Sequence, residues 1–381
     1  MQVTRVQVSG FKSLANFELE LAPFTCLIGM NGCGKSTVLQ FFDFISHVLA
    51  GDVEKWFEAR EWEPGDVAGP GCSEIQFEIH FSDGASWSGV YAVEQQRCVE
   101  ENIGAGAISG SSKNSFATLP LIEEGGKLEN ISVSTRRLAY RGSVTNAFKD
   151  EGLAEDIRVL KHFLRATRVF DALSPQNLRR RDRQSRDSIG HGGEHLATYL
   201  DSLPRGALED MVAELKNLYP HLEKLTVQNL PGGWKELLLL EAYDPASHLH
   251  TRSRHINDGL LRFIAILAEL RSQHRFLLFD EIENGINAEF VEGLIGQLVS
   301  AQPQVMVTTH SPMILNYLED EIARKSVVFL YKGPDGGTRA KRFFDIPSIG
   351  QKLEVMGPGE AFVDTNLVSL AEELNAAVAG A

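Results

Sequence analysis

The sequence has little of several features that mark exported or membrane proteins. Only four cysteines occur among 381 residues, none in a CxxC spacing, so we expect reduced thiols rather than a disulfide framework. No run of about 18 apolar residues is present, and the first residues lack the basic-then-apolar layout of a signal peptide. We therefore expect a cytoplasmic protein that neither inserts into a membrane nor is exported. Its 43% hydrophobic residues are enough for a globular core.

An overall excess of positive charge is also missing. The net charge of −14 argues against a protein that coats nucleic acid over its whole surface. The charge is uneven, because residues 136–186 contain 13 Lys or Arg against 6 Asp or Glu, with Arg179, Arg180, Arg181 and Arg183 in the densest run. This run predicts either a DNA-backbone contact or a solvated loop, and the sequence favours neither.

The most specific feature present is the glycine-rich loop from Gly29 to Thr37. It fits G-x-x-x-x-G-K-[ST] completely, and it follows an apolar strand pattern over 24–28 and precedes a helical pattern over 38–45. In such a P-loop, backbone N–H groups converge on the β- and γ-phosphates, and the helix start contributes about half a positive charge. Lys35 is expected to span the phosphates and the Ser36 hydroxyl to ligate Mg²⁺.

Two later strands end in side chains suited to the same site. Residues 275–281 predict a buried strand that ends in Asp280 and Glu281, a Walker B pattern. There the first acid is expected to hold Mg²⁺ and the second to polarise the attacking water. The apolar run 304–309 delivers His310 at its carboxyl end, where parallel sheets collect ligands, and this histidine is a candidate γ-phosphate sensor.

A polar cap precedes the amphipathic helix predicted over 260–270. Asn257, Asp258 and Gly259 would leave exposed N–H groups at the helix start, which is a second anion site. One chain needs only one γ-phosphate site, so the cap is either an ordinary N-cap or a contact with ATP held by a second copy. The motif alone does not choose between these readings.

The remaining patterns predict an α/β chain of three parts. Residues 1–95, with strands over 2–28 and a hairpin over 74–93, form an N-terminal lobe around the P-loop. Residues 96–220 are predicted as a mainly helical insertion with the basic run, and residues 221–381 as the C-terminal lobe. The predicted helices are 151–167, 194–203 and 207–218, and the predicted loops are 56–71 and 103–118. A polar loop accounts for His248, His250 and His255 better than a metal site does.

In this order the motifs resemble the ABC-type ATPase heads of the SMC/RecF/OLD group. Segments 8–14 and 192–197 are similar to the stand-alone AAA-type ATPases of that group, which occur in prokaryotic defence and DNA-maintenance systems. The resemblance implies a P-loop NTPase fold of ABC/SMC-head type, with a mixed central sheet, an antiparallel β lobe and a helical insertion. It also implies ATP and Mg²⁺ as ligands and an ATP-dependent homodimer.

The resemblance assigns roles residue by residue. Glu281 is the catalytic base, His310 the switch histidine, Ser36 and Asp280 the Mg²⁺ ligands, and Asn257 to Gly259 the signature loop acting in trans. The nucleotide-binding residues it implies are Asn31, Gly32, Cys33, Gly34, Lys35, Ser36 and Thr37.

The sequence departs from the family pattern in several places. Asn257 replaces the usual signature serine, Asn287 and Ala288 replace the commoner His-Pro, and the glutamine loop has only Gln95 and Gln96 as candidates. No long coiled coil separates the Walker motifs, and the residues after His310 are too few for a Toprim nuclease domain. An effector such as a nuclease or toxin is therefore expected to be a separate polypeptide.

These features support two hypotheses about function. The preferred one is an ATPase that dimerises on ATP and whose hydrolysis gates a partner effector or DNA, in antiviral defence or DNA maintenance. The alternative is an ATP-binding scaffold with little hydrolysis that holds a nuclease or toxin. A transporter subunit is disfavoured, since transporter heads usually keep a Ser-Gly-Gly-type signature.

Overall fold

The protein is described here from a computed structural model, which covers residues 1–105, 116–122, 128–134, 138–170, 173–184, 188–204, 206–244 and 247–379. The strands are β1 Val3–Ser9, β2 Phe17–Glu20, β3 Phe24–Gly29, β4 Glu74–Phe81, β5 Ala85–Ala92, β6 Arg97–Ala105, β7 Phe116–Ile122, β8 Leu128–Ser134, β9 Thr167–Phe170, β10 Leu222–Asn229, β11 Lys235–Asp244, β12 Ser247–Arg252, β13 Phe276–Phe279, β14 Gln304–Thr308, β15 Val327–Lys332 and β16 Thr338–Arg342. The helices are α1 Lys35–Ala50, α2 Val53–Arg60, α3 Glu155–Arg165, α4 Pro175–Leu178, α5 Leu196–Ser202, α6 Ala207–Leu218, α7 Asp258–Leu270, α8 Ala288–Val299, α9 Pro312–Asn316, α10 Asp320–Ser326, α11 Pro347–Gly350, α12 Pro358–Val363 and α13 Leu367–Ala379.

A six-stranded mixed sheet forms the centre of the molecule. Its order is β16-β15-β3-β14-β13-β9, and every neighbouring pair is parallel except β15 with β16. The strands that precede the P-loop, His310 and Asp280 are therefore adjacent, as β3, β14 and β13. Because parallel strands end at one edge, all three motifs meet there.

A second sheet packs over α1. It has seven strands in the order β2-β1-β4-β5-β6-β7-β8, with antiparallel pairing except between β6 and β7. A separate three-stranded antiparallel sheet, β10-β11-β12, leads into α7. The mixed central sheet and the antiparallel lobe confirm these parts of the predicted fold.

Alternating strand residues supply a hydrophobic core on each face of the central sheet. On β3, Cys26 and Ile28 pack into one core with α7 and α8, whereas Leu27 faces the other core with α1. The second core is rich in aromatic residues, and Phe44 contacts Tyr91 with ring centroids 5.1 Å apart. The helix that begins at Lys35, α1, is rigid because it is buried between the two sheets.

The secondary structure differs from the sequence expectation in several segments. The expected helical character of 96–220 is wrong for its first part, since β6, β7 and β8 extend the second sheet and helices begin only at α3. The helix predicted over 151–167 is shorter, and β9 within the same region completes the central sheet. The loop predicted over 56–71 begins with the end of α2, and residues 106–115 of the other predicted loop lie outside the described residues. The division into three parts remains a proposal.

Two further expectations concern local chemistry. His248 and His250 lie on β12, an edge strand, rather than in a loop, and His248 pairs with Glu223 at 3.3 Å. In the described ranges, no three His, Cys, Asp or Glu side chains gather in a way that could hold a metal ion. The four cysteines are free thiols. None of the described helices is both long enough and apolar enough to cross a bilayer.

Candidate functional site

Two glycines of the P-loop lie so close to neighbouring strands that a side chain at either position would not fit. Gly34 has a φ of 112°, and a Cβ there would lie 2.3 Å from the Thr338 hydroxyl oxygen. At Gly29, with a φ of 147°, a Cβ would lie 2.3 Å from the Leu330 carbonyl oxygen. Any side chain at either position would push the loop away from the sheet, so the local sequence and the packing of β15 and β16 jointly determine its shape.

Lys35 lies inside this loop. Its ammonium donates hydrogen bonds to the carbonyl oxygens of Gly29 at 3.0 Å and Met30 at 3.2 Å, and the side chain is only 6% exposed. Burial lowers the pKa of Lys35, while the negative charges of Asp280 and Glu281 act in the opposite direction. The ammonium is thus held in the concavity where a P-loop receives phosphates, and the Walker B acids lie close enough to influence it.

The other loop residues differ in exposure. Asn31, Gly32 and Ser36 are exposed at the loop surface, so their polar groups are available to a nucleotide. Cys33 is 2% exposed and burial raises the pKa of its thiol. Of the predicted nucleotide-binding residues, Cys33 therefore offers its backbone to a ligand and not its side chain.

A contact that sequence reasoning missed fixes the loop from the side. Thr338, at the start of β16, is fully buried; its hydroxyl donates to the Cys33 carbonyl oxygen at 2.8 Å, and its N–H donates to the Ser13 carbonyl oxygen at 2.7 Å. The Ser13 hydroxyl lies 2.8 Å from the same threonine oxygen, and the Lys332 ammonium donates to it at 3.3 Å. A lone threonine about 300 residues from the P-loop gives no signal in the sequence.

The Walker B acids follow β13 in a strained turn. Thr308, the last residue of β14, donates its hydroxyl to Asp280 and accepts the Glu281 N–H at 2.8 Å. Glu281 has a φ of 47°, a left-handed conformation that a residue with a side chain rarely adopts, and its side chain is exposed. Such backbone strain is concentrated at functional sites because surrounding contacts must maintain it.

Glu283, to which the sequence motifs assign no role, joins His310 to the same turn. Glu283 accepts a hydrogen bond from the His310 N–H at 2.7 Å, and its second carboxylate oxygen is buried without a partner among the described residues. The His310 side chain is exposed. The ends of β13 and β14 are thus linked by this hydrogen bond. The presence of an acid three residues after Asp280 was the sequence signal that could have indicated it.

The signature-like loop lies beside the Walker B turn. Asn257 caps α7, and its side-chain oxygen accepts the N–H groups of Gly259 at 2.8 Å and Leu260 at 3.2 Å. The expectation of exposed N–H groups is therefore not met at these two residues. A Cβ at Gly259 would lie 2.7 Å from the side-chain oxygen of Asn287, so α7 begins in close contact with the turn that follows β13.

The arginines predicted to contact DNA are mostly engaged within the protein. Arg179 donates to the Ile256 carbonyl oxygen at 2.8 Å and to the Asp258 carboxylate. Arg181 contacts both oxygens of the buried Glu236 at 3.3 Å, and Arg183 lies 5.1 Å from the ring centre of Trp234. Arg180 and Arg183 are both exposed without a side-chain hydrogen bond or ion pair to the described residues, and of the two only Arg183 has a described ring contact. Arg179 thus holds the start of α7, whereas the other three arginines are exposed at the surface.

Gln95 and Gln96, the candidates for the glutamine loop, lie in the turn between β5 and β6. The side-chain oxygen of Gln95 accepts from Arg97 at 3.2 Å, and the carbonyl oxygen of Gln96 accepts from the Gly142 N–H at 3.0 Å. These contacts fasten the turn to residues 97 and 142 and do not involve the P-loop.

Two protein-family models match the chain. The model "AAA ATPase domain" matches residues 1–81, and "AAA domain, putative AbiEii toxin, Type IV TA system" matches residues 121–316, more than half of the chain. The chain belongs to this second family. It is an AAA ATPase of the SMC/RecF/OLD-like group, as its motifs predicted. No curated protein matches it significantly.

One solved structure with a TM-score above 0.5 shows the same fold. The structure "Crystal structure of the SmcHead bound to the C-winged helix domain of ScpA" has a TM-score of 0.54 at 14% identity, covering 90% of this chain and 98% of that one. An SMC head domain from Thermotoga maritima gives 0.45 at 10% identity, covering 90% and 98%, and the Smc head of Pyrococcus furiosus gives 0.48 at 11%, covering 93% and 99%. The first similarity confirms the P-loop NTPase fold of SMC-head type.

Proposed function

We propose that this chain is a Mg²⁺-dependent ATPase whose heads dimerise on ATP and whose hydrolysis gates a separate effector or DNA. The observation that carries the proposal is the meeting of Lys35, Asp280, Glu281 and His310 at the ends of three adjacent strands. In a fold that serves many purposes, such a constellation is stronger evidence than the fold itself.

The residues have distinct tasks in this proposal. The P-loop N–H groups and Lys35 bind the phosphates, and exposed Glu281 orients the attacking water in line with the γ-phosphate. Ser36 and Asp280 supply hydroxyl and carboxylate oxygens, which are the ligands that Mg²⁺ prefers. When bound, the ion would neutralise charge on the β- and γ-phosphates. His310 follows β14, the strand between β3 and β13, and would contact the γ-phosphate from there.

The proposed dimer follows from the position of the signature-like loop. The loop of residues 257–259 has described contacts with Arg179, Asn287 and Leu260, and none of these residues belongs to the P-loop. A nucleotide on the P-loop would therefore meet this loop from a second copy. The structural neighbour named with ScpA shows that a head of this fold can also hold a partner protein.

Substitution of Glu281 tests the proposal directly. Glu281→Gln is expected to keep ATP binding, because the P-loop is intact, and to lower hydrolysis by at least about a hundredfold by removing the base. ATP-dependent dimers should persist in light scattering of this variant. Glu292→Gln, at an exposed acid of α8, is the matched control. A monomeric variant with normal hydrolysis would contradict the proposal.

A second candidate function is a scaffold that binds ATP and hydrolyses it slowly. The capping of Gly259 and Leu260 by Asn257 favours it, because those N–H groups are engaged before a second nucleotide arrives. The family description, a toxin of a type IV toxin–antitoxin system, supports a role in defence with a separate partner. Slow turnover that neither DNA nor a co-expressed neighbouring gene product accelerates would favour the scaffold.

A further inference from the structure

A polar cavity of about 650 Å³ lies between the C-terminal half of α1, β9 and a segment that we call the strap, residues 174–184 and 188–195. This volume is in the range of small-molecule sites. β9 is the edge strand of the central sheet, so the cavity borders an unpaired strand edge. It is separate from the P-loop, which lies at the opposite end of α1.

The acids on the cavity wall already have partners. Asp43 accepts from the Trp56 indole at 2.6 Å and from Arg60, Asp52 pairs with His47 at 2.8 Å, and Glu194 accepts the Gly192 N–H at 3.0 Å. These carboxylates are satisfied by the protein itself. They are therefore poor candidates to bind a cation or a donor-rich ligand.

The hydrogen-bond donors on the wall are much less engaged. Arg168 donates only to the backbone oxygens of Arg165 at 2.7 Å and Thr167 at 2.8 Å, and it pairs with none of the described acids. Arg165 has one long ion pair, with Asp150 at 3.8 Å, and His191 is exposed without a described partner. Two guanidinium groups and a histidine thus face the cavity with unused donors.

Thr167 provides an independent sign of a ligand. It is 2% exposed, and its hydroxyl has no hydrogen-bond partner in the described structure. A buried polar group without a partner destabilises the folded state. Because Thr167 lines this cavity, the missing partner is expected to come from its occupant.

The cavity lies between two elements of the ATP site. α1 begins at Lys35, and the strap holds both ends of α7, through Arg179 at its start and through the Ile189 N–H, which donates to the buried Glu269 at 2.9 Å. A ligand between α1 and the strap would therefore change how the signature-like loop is placed relative to the P-loop helix.

We propose that this cavity is a regulatory site for a small phosphate-bearing molecule bound by Arg165, Arg168 and Thr167. Guanidinium groups form paired, charge-assisted hydrogen bonds with phosphate oxygens, which suits the unused donors. Binding of the ligand does not depend on the proposed ATPase function, whereas the regulatory effect rests on that function.

A neighbouring cavity argues for a small ligand over a nucleic-acid strand. It has about 400 Å³ and shares Arg165 and Arg168, but Arg271 there pairs with Glu214 at 2.5 Å and His274 with Glu269 at 2.8 Å. Of the basic side chains that line only this second cavity, His162 alone has no described partner, so a phosphodiester chain would find few further contacts there.

The test measures binding to the full-length chain with its P-loop saturated by Mg²⁺ and a slowly hydrolysed ATP analogue. Pyrophosphate and AMP are titrated in turn by calorimetry. At least one is expected to bind once per chain, with affinity lowered about tenfold or more by Arg168→Gln and less by Thr167→Val. Arg158→Gln is the matched control, since this exposed arginine of α3 does not line the cavity.

Each other outcome would overturn part or all of the proposal. No binding of either probe, or equal affinity in Arg168→Gln and Arg158→Gln, would show a water-filled cavity. Displacement of pyrophosphate by single-stranded DNA would show a polyanion groove instead. If Arg168→Gln does not fold, the nearly isosteric Thr167→Val decides the question. Binding that leaves ATP-dependent dimerisation unchanged would remove the regulatory role, and dimerisation measured without probe tests the proposed function separately.

Discussion

At the scale of single residues, the site depends on side chains that no motif contains. Thr338 and Glu283 are distant from the P-loop in sequence, yet one fastens the Cys33 carbonyl oxygen and the other the His310 N–H. Both act on backbone groups. They keep the loop and the His310 backbone in a fixed position, which matters because catalysis by positioning is lost with small displacements.

Replacement of Thr338 is expected to weaken ATP binding. Thr338→Val keeps the shape but removes the hydroxyl, which leaves the Cys33 carbonyl oxygen without its donor and the Ser13 hydroxyl without that neighbour. We expect a loss of about 1–3 kcal/mol in the free energy of unfolding together with lower ATP affinity. Urea denaturation and nucleotide titration measure the two effects. Thr338→Ser keeps the hydroxyl and should bind ATP as the wild type does; a valine variant with unchanged affinity would refute the clamp.

At the scale of elements, α7 is the helix whose placement needs explanation. Its first turn contacts Asn287 after the Walker B strand, its cap is closed by Asn257, and the strap holds it through Arg179. Of the basic run that suggested DNA from the sequence, Arg179 is thus part of the support of α7. A triple replacement of Arg179, Arg180 and Arg181 would disturb α7 and DNA contacts together, so single replacements are needed.

Arg179→Gln is expected to weaken ATP-dependent dimerisation while the monomer keeps its ATP affinity. The variant removes the contacts with Asp258 and the Ile256 carbonyl oxygen, which lie at the proposed dimer surface, whereas the P-loop is untouched. Because Arg179 and Asp258 are partly exposed, we expect about 1 kcal/mol, or roughly fivefold in the dimer dissociation constant. Sedimentation with ATP and Mg²⁺ measures this.

The controls for Arg179 come from the same run and the same ion pair. Arg180→Gln changes a neighbouring exposed arginine without a described partner and should dimerise normally. The double variant Arg179→Gln, Asp258→Asn should lose less dimer affinity than the sum of the two single variants, because both substitutions remove the same interaction. Equal dimerisation of the Arg179 and Arg180 variants would show that the strap does not position the loop.

At the scale of the whole molecule, a buried acid links the second sheet to the segment after it. Glu101 on β6 is fully buried and accepts hydrogen bonds from the Trp87 indole at 2.7 Å, the Ser143 hydroxyl at 2.6 Å and the Val144 N–H at 2.7 Å. Burial raises the pKa of Glu101 to about 7, although these donors favour the charged form. The folded state therefore holds this proton more tightly than the unfolded chain does.

The free energy of unfolding is expected to fall as the pH rises from about 4.5 to about 7, because the folded protein must then ionise a buried group. The contribution of Glu101 is about 3 kcal/mol at most. Glu101→Gln should lose this slope and be less stable at low pH, because its amide N–H₂ would face the Ser143 or Val144 donor. Urea denaturation of both proteins at pH 5, 6, 7 and 8 measures the difference; parallel curves would contradict the assignment.

The sequence by itself determined the family, the P-loop, the Walker B acids and the strand-to-loop positions of Lys35, Asp280 and His310. These are local patterns in which residue type and spacing carry the chemistry. The tertiary structure alone decided which arginines are engaged, how Thr338 reaches the P-loop, and that β9 borders a donor-rich cavity. Such contacts join residues separated by tens to hundreds of positions, and no local preference encodes a partner that arrives only when the sheets pack.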